Sequence, residues 1–300
     1  MAIPTETVYG LAANALDTNA VLKIFEAKQR PFFDPLIVHV GNLKQVSEYA
    51  ILDDQRLIKL ANTFWPGPLT LLLPKKNNIP DLVTSGLPQV AIRIPNHNLT
   101  LELLHKINFP LAAPSANPFG YVSPTEPDHV NKQLRDKVDY ILDGDKCTVG
   151  IESTIIGIED GELCVFRLGG LAIEEIEKLV GKVELRINLS SDPKAPGQLK
   201  NHYAPAKPLY IGRVEELVLK NDSKKIAAII FGDKKEVVKN LEYFNLSEKR
   251  DLKEAAVNLF SVLRKIDESN FDFIVAELLP EIGLGRAIND RLKRASSEVD

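Results

Sequence analysis

The sequence predicts an α/β protein in two domains. Apolar, β-rich runs alternate with helical stretches, most regularly beyond residue 208, which is the pattern of a parallel sheet linked by helices. Some runs, Leu36–Val40 first among them, are apolar on both faces, as strands buried in mid-sheet must be. Between about Gly181 and Lys207 the pattern loosens, and Pro193, Pro196 and Pro205, followed by Pro208, break any long element. The expected division is a first domain over residues 1–182, a linker or lid over 183–207, and a C-terminal α/β domain over 208–300.

Taken in order, Ala2-Ile3 and the stretch Pro4–Ala13 predict the end of a strand and a turn at Gly10. Asp17 is placed to cap a helix running to Arg30, with Val21, Leu22 and Phe25 on its buried face. Leu36–Val40 follows as a strand, then helices over 42–50 and 53–64 that end at W-P-G-P, which no regular element crosses. Leu69–Leu73 and Val90–Ile94 are strands, Leu99–Ile107 is helical, and Leu111–Ala113 is short and extended. A helix is expected from Pro124 to about Lys137 and a strand over Val138–Leu142. Two β-rich runs around Asp160-Gly161 make a hairpin, and Ile173–Val180 a short helix. In the last third, Leu209–Ile211, Ile226–Phe231 and Phe271–Ala276 are β-rich, while 213–220, 251–267 and 286–297 look helical.

Composition excludes several classes. The chain is 44% hydrophobic and 26% charged, as soluble globular proteins are. No apolar run approaches the roughly 20 residues that span a bilayer. The start M-A-I-P-T-E-T lacks the basic and apolar regions of a signal peptide. Cys147 and Cys164 lack C-x-x-C spacing, so neither a zinc site nor a disulfide framework is expected, and a cytoplasmic location follows. Residues 206–300 hold seventeen basic and seventeen acidic side chains, leaving twenty and twenty-four in residues 1–205. With the excess of acid in the first domain, an anionic ligand needs a local basic pocket, and strong nucleic-acid binding has no electrostatic footprint.

The residues that could carry chemistry are not those of a hydrolase, a metal site or a Walker loop: G-x-S-x-G, H-E-x-x-H and G-x-x-x-x-G-K-[ST] are all missing. Gly283-Leu284-Gly285 reads as a helix-entry turn. The five histidines are scattered, and only His39 and His202 sit in unusual contexts. Lys28 and Arg30 straddle a helix end at Pro31, either as solvated cations complementing the helix dipole or as a phosphate clamp. Arg93 is a guanidinium in an apolar strand and needs an anionic partner if buried. Thr5 and Thr7 flank Glu6, Ser115 and Asn117 follow a strand, Ser123 begins S-P-T, Ser153 and Thr154 follow Glu152, and Arg167 ends the hairpin. Singly these suit caps, turns or surface charges. Together, at strand ends, they suit a polyanion and a small polar ligand.

These residues fall within longer motifs: P-T-E-T-V-Y-G-L, K-Q-R-P-F-F-D-P-L-I-V-H-V, W-P-G-P-L-T, V-A-I-R-I-P, A-A-P-S-A-N, G-I-E-S-T-I-I and P-G-Q-L-K-N-H-Y-A-P. In this order they resemble the YrdC-type L-threonylcarbamoyl-adenylate synthases, in the long form with an extra C-terminal domain. The resemblance is dense to about residue 206 and looser beyond it, where R-A-I-N-D-R-L-K-R-A-S is similar to that domain's end. It implies a YrdC-like twisted mixed sheet with helices around a concave pocket, then a smaller Rossmann-like parallel α/β domain. The implied reaction makes threonylcarbamoyl-AMP and pyrophosphate from L-threonine, bicarbonate and ATP. The product feeds a threonylcarbamoyl-transfer complex that modifies the adenosine beside the anticodon of tRNA.

By motif position, the resemblance assigns Lys28, Arg30, Ser115 and Asn117 to the nucleotide phosphates. It places Asp34, Gln89, Ser123, Arg167 and Tyr203 on the ATP side as well. Thr7, His39, Arg93, Ala113 and Ser153 fall at threonine-binding positions, and H-Y-A-P suggests a lid over ATP. Magnesium is expected with the triphosphate, whose displacement chemistry needs positioning and charge neutralisation rather than a covalent nucleophile. Two departures stand out. Members of the family usually carry a helix and a strand ahead of P-T-E-T, whereas three residues precede it here, implying a misassigned gene start or a weakened pocket wall beside Thr5 and Thr7. Asp34 stands where the family often has a neutral residue, and its carboxylate would repel a triphosphate unless it helps hold magnesium. The competing readings are an RNA-binding module of the same fold without adenylation activity, which would bind RNA in a salt-dependent way without ATP, and the carbamoyl-transfer domain of hydrogenase maturation proteins, which needs neighbouring C-x-x-C motifs and an acylphosphatase domain.

Overall fold

The computed structural model describes residues 1–187, 195–196, 203–219, 223–233 and 240–297. They form two compact units, Met1–Phe119 with Pro124–Lys200, and Gly120–Ser123 with Asn201–Asp300.

In the first unit Ala2–Ile3 (β1) pairs antiparallel with Gly10–Leu11 (β2). The chain therefore reverses at Glu6–Val8 rather than at Gly10, where the sequence suggests a turn. The cause is Thr5, whose hydroxyl accepts the N–H groups of Thr7 and Val8 and sets the bend locally. Ala13–Asn14 (β3) leads into Thr18–Lys28 (α1), capped by the Asp17 carboxylate, which accepts the N–H groups of Asn19 and Ala20. The buried stripe is Val21, Ile24, Phe25 and Lys28, with Leu22 only half-buried. The helix stops two residues short of Arg30 because Gln29 turns left-handed (φ 54°) and the Arg30 N–H bonds back to the Phe25 carbonyl.

Ile37–His39 (β4), Leu43–Tyr49 (α2) and Gln55–Phe64 (α3) follow as expected, the helices capped by Asn42 and Asp54. Leu69–Pro74 (β5), one unforeseen helical turn at Asp81–Thr84 (α4), Gln89–Arg93 (β6), Asn98–Lys106 (α5) and Leu111–Ala112 (β7) come next. The helix expected from Pro124 begins at Pro127 (α6, Pro127–Leu134), since the residue before a proline is held extended and Glu126 has φ −143° and ψ 154°. Val138–Leu142 does not form a ladder strand: Ile141 makes a single bridge to Ala2, and Tyr140 faces solvent. Thr154–Glu159 (β8) and Glu162–Arg167 (β9) form the expected hairpin, with Asp160 and Gly161 both at positive φ, as a tight two-residue turn requires. Ile173–Val180 (α7) precedes Glu184–Leu185 (β10), a short strand inside the stretch read as linker, parallel to β9.

The main sheet has eight strands in the order β10-β9-β8-β5-β6-β4-β7-β3, mixed in direction. Its central strands β4, β5 and β6 are buried almost throughout, which is why their sequences are continuous apolar runs.

The second unit contains Leu209–Ile211 (β11), Val214–Leu219 (α8), Ile226–Ile230 (β12), Leu241–Asn245 (β13), Leu252–Asp267 (α9), Phe273–Ala276 (β14) and Leu284–Ala295 (α10). Its four strands run parallel in the order β11-β14-β12-β13, a Rossmann-like arrangement. β13 is the strand that sequence reading misses: it is an edge strand whose Glu242 is exposed, so its run lacks the apolar continuity of β12. Gly283 (φ 49°) opens α10, so the late glycine pair is a helix entry. No helix among the described residues is long and apolar enough to cross a membrane.

The Asp17 cap gives a direct test of α1. Asp17→Ala should lower the unfolding free energy by about 1 kcal/mol in urea titrations, and Asp17→Asn, which keeps the acceptor, should lose much less.

Candidate active site

Helix α1 delivers Lys28 into the first unit rather than into solvent. Lys28 is 1% exposed, and its ammonium nitrogen donates to the main-chain carbonyls of Ser115 and Asn117. The Phe119 N–H bonds the Lys28 carbonyl, tying the P-S-A-N-P loop to the helix end. Burial pushes the Lys28 pKa well below the usual lysine value; Arg30 adds to that and Asp34 opposes it. Arg30 folds back on its own loop, giving Nε to the Asp34 carbonyl (3.0 Å) and Nη2 to the Pro35 carbonyl (2.8 Å). The same Nη2 lies 2.8 Å from Oδ2 of Asp34, in a pair that is almost wholly buried. The sequence reading has the Asp34 carboxylate repelling a triphosphate unless it helps hold magnesium; in the fold it is paired with Arg30. Asn117 is buried, its amide donating to the Pro118 carbonyl, and Ser115 is half-buried opposite Gly10.

A second group gathers around Arg93. Strands β4 and β6 are parallel, with His39 in register with Arg93. Arg93 gives Nε to the Gly67 carbonyl (3.1 Å) and Nη1 to the Thr7 hydroxyl (2.8 Å), and its Nη2 lies 2.7 Å from Oε1 of Glu6. The anionic partner that a buried guanidinium needs is thus Glu6, whose other oxygen accepts the Asn96 N–H at 3.0 Å. Thr5 and Thr7 share a 2.8 Å hydrogen bond, and both are buried. Ser153, at the head of β8, bonds the Thr70 hydroxyl (2.7 Å), and Arg167 holds it through the Ser153 carbonyl and hydroxyl. A register shift in the hairpin, where Ile155 faces Arg167 but Ile156 faces Val165, re-aims the end of β9. Ala113 is buried, its N–H on the Ile37 carbonyl.

The remaining residues lie elsewhere. Gln89 is half-buried at the opposite end of β6, about 13 Å along the strand from Arg93 at 3.3 Å per residue. Ser123 and Tyr203 fall in the second unit. There the carbonyl of buried Ser123 accepts Nε of Arg264. Tyr203 has φ 68°, is stacked on Phe260 (5.7 Å) and lies beneath the Arg291 guanidinium (4.8 Å). His202, the other histidine in an unusual context, lies outside the described residues. Sequence reasoning gave no role to Glu6, Gly67 or Thr70. The signal was their place inside P-T-E-T and W-P-G-P-L-T.

His39 is buried and beside Arg93, and these two causes, burial first, push its pKa down to about 3. The folded protein therefore keeps His39 neutral where the unfolded chain, with a histidine pKa near 6.5, takes up a proton. Its contribution to stability is present above about pH 6.5 and is lost as pH falls towards 3. Replacing His39 by Gln should flatten the pH dependence of unfolding free energy across that window by about 1.4 kcal/mol per pH unit, read from denaturant melts at several pH values.

The chain matches two family models. One, described as Sua5/YciO/YrdC telomere recombination, covers residues 1–169, and the threonylcarbamoyl-AMP synthase C-terminal domain covers 171–297. The chain is 42% identical to the threonylcarbamoyl-AMP synthase of Pyrococcus abyssi, the match spanning 99% of this chain and 90% of that protein. It is 39% identical to the Bacillus subtilis enzyme of the same name, over 99% and 89%. Its fold is similar to the crystal structure of P. abyssi Sua5 complexed with L-threonine, with a TM-score of 0.90 and 41% identity over 98% of this chain and 89% of that one. With residues 1–169 and 171–297 accounted for by these matches, the chain belongs to the Sua5/YciO/YrdC family, in the form that carries the threonylcarbamoyl-AMP synthase C-terminal domain.

Proposed function

We propose that this protein is a nucleotidyltransferase that converts L-threonine, bicarbonate and ATP into threonylcarbamoyl-AMP and pyrophosphate, for threonylcarbamoyl modification of tRNA beside the anticodon. What carries the reading is likeness along the whole chain to a relative solved with L-threonine bound. The clustering of Thr7, His39, Arg93 and Ser153 near the ends of neighbouring strands supports it.

In this reading Thr7, His39, Arg93, Ala113 and Ser153 hold threonine. Lys28, Arg30, Ser115 and Asn117 serve the phosphates, and Asp34, Gln89 and Arg167 complete the ATP side. The threonine carbamate attacks the α-phosphorus and pyrophosphate leaves, so the protein's task is to align the two substrates and neutralise charge. A triphosphate oxygen is a stronger acceptor for Lys28 than the two carbonyls that hold it, and its charge would favour the protonated amine.

Magnesium belongs to the same proposal, as a counter-charge on the phosphates. Among the described residues no group of three or more His, Cys, Asp or Glu side chains is placed to hold a metal. That donor set suits an ion carried mainly by phosphate oxygens, with Asp34 the nearby carboxylate that could add a ligand. A cytoplasmic location and delivery of the adenylate to a threonylcarbamoyl-transfer complex complete the reading.

Pyrophosphate release should require ATP, threonine and bicarbonate together when each is omitted in turn. Equal release without threonine would defeat the proposal. Lys28→Ala should abolish adenylate formation while leaving the circular dichroism spectrum unchanged; Arg30→Ala should abolish it too and lower the unfolding free energy by about 3 kcal/mol, because Asp34 loses its buried partner.

A further inference from the structure

We infer that Glu6 is the base of the reaction: its carboxylate receives the threonine ammonium and takes the proton that must leave the nitrogen before the carbamate forms. The inference rests on the synthase reading above and adds a residue to it.

Glu6 and Arg93 lie side by side, each with a side chain at most 5% exposed. Oε2 of Glu6 is fixed by the Asn96 N–H, and the Glu6 main-chain carbonyl accepts the Val149 N–H, so backbone and carboxylate are each anchored. Oε1 is close to Arg93 Nη2 but buried without an aligned hydrogen-bond donor, so it keeps an acceptor direction open. Arg93 is positioned independently, by Gly67 and Thr7. A buried guanidinium and carboxylate held edge to edge are the charge complement of an α-amino acid zwitterion. The ligand carboxylate turns to Arg93 and its ammonium to Glu6.

An ammonium has no lone pair, so it cannot attack carbon. Transfer of one proton from R–NH3⁺ to the Glu6 carboxylate leaves R–NH2 and a neutral carboxylic acid. The amine lone pair then forms the N–C bond to bicarbonate. The C–OH bond breaks, and the second amine proton leaves with that hydroxide as water, giving R–NH–COO⁻. The neighbouring titratable groups are poor substitutes. His39 has its pKa near 3, and the Cys147 thiol, facing Glu6, is pushed up to about 12 by burial first and then by Glu6.

The test measures threonine-dependent pyrophosphate release by the full chain from about pH 6.5 to 9.5, for wild type, Glu6→Gln and Glu6→Asp, with folding checked by thermal melts. Glu6→Gln should be about a hundredfold slower near neutrality and should gain about tenfold per pH unit as free amine accumulates, a rise that the wild type lacks. Glu6→Asp should be slower than wild type yet keep its shallow profile. A Gln variant with the wild-type rate, or slowed equally at every pH, would overturn the inference, since a purely structural role predicts parallel profiles. If the Gln variant does not fold because Arg93 is left unpaired, Glu6→Ala is assayed with added formate or acetate: a rate that rises with the basicity of the added carboxylate supports the base, and restored folding without a basicity-dependent rate overturns it. A wild type without threonine-dependent release would instead defeat the synthase reading itself.

Discussion

Burying positive charge is the constraint on which the first unit depends. Lys28, Arg30, Arg93 and Arg167 are all nearly excluded from solvent, and each loses hydration worth several kcal/mol. Two carboxylates, Asp34 and Glu6, answer two of them, and main-chain carbonyls answer all four. Three of those carbonyls belong to residues that directly precede a proline: Asp34 before Pro35, Gly67 before Pro68 and Asn117 before Pro118. Proline fixes the local geometry, holds the preceding residue extended and contributes no N–H. The proline-rich motifs are therefore acceptor loops for buried cations as much as turns between elements.

That arrangement explains which parts of the fold could be read from sequence. Strands β4, β5 and β6, the hairpin β8–β9 and the Asp17 cap declare themselves by composition over a few neighbouring residues, because local burial and turn chemistry decide them. The two-residue strands β3 and β10 are too short to show any period, and tertiary pairing alone makes them strands. The candidate site was legible as a set of residue types at strand ends. Its pairings were not: Glu6 and Arg93 meet from 87 positions apart in the chain, and the P-T-E-T motif that holds Glu6 does not say which residue it pairs with.

Lys28 and Asp34 show the same limit from the other side. A cation in the last turn of a helix ordinarily complements the helix dipole in solvent, yet Lys28 lies on the stripe of Val21, Ile24 and Phe25 and is buried with them. Its position one heptad after Val21 is the signal that outweighs its residue type. Asp34 looks out of place as a buried carboxylate until the loop closes and Arg30 pairs with it four residues away. With that pair neutral and the Lys28 pKa lowered, this pocket can be buried without a large uncompensated charge before any polyanion arrives.

Precision at the Arg93 end comes from the main chain. His39, Arg93 and Ser153 lie on or beside three strands, and a one-residue slip in any pairing would turn its side chain to the opposite face. Because these strands are buried on both sides, a slip would carry His39 or Arg93 in among apolar side chains and away from its partners. Gly169 adds a second lock. A Cβ there would fall on the Glu152 carbonyl and the Ser153–Thr154 peptide, so only glycine lets the chain after β9 pass close enough for the Gly170 N–H to bond the Glu152 carbonyl. That contact seats the head of β8 and with it the Ser153 hydroxyl, between Thr70 and Arg167. The side chains of the candidate site are thus placed by backbone contacts whose own residues would never be chosen as functional from their chemistry.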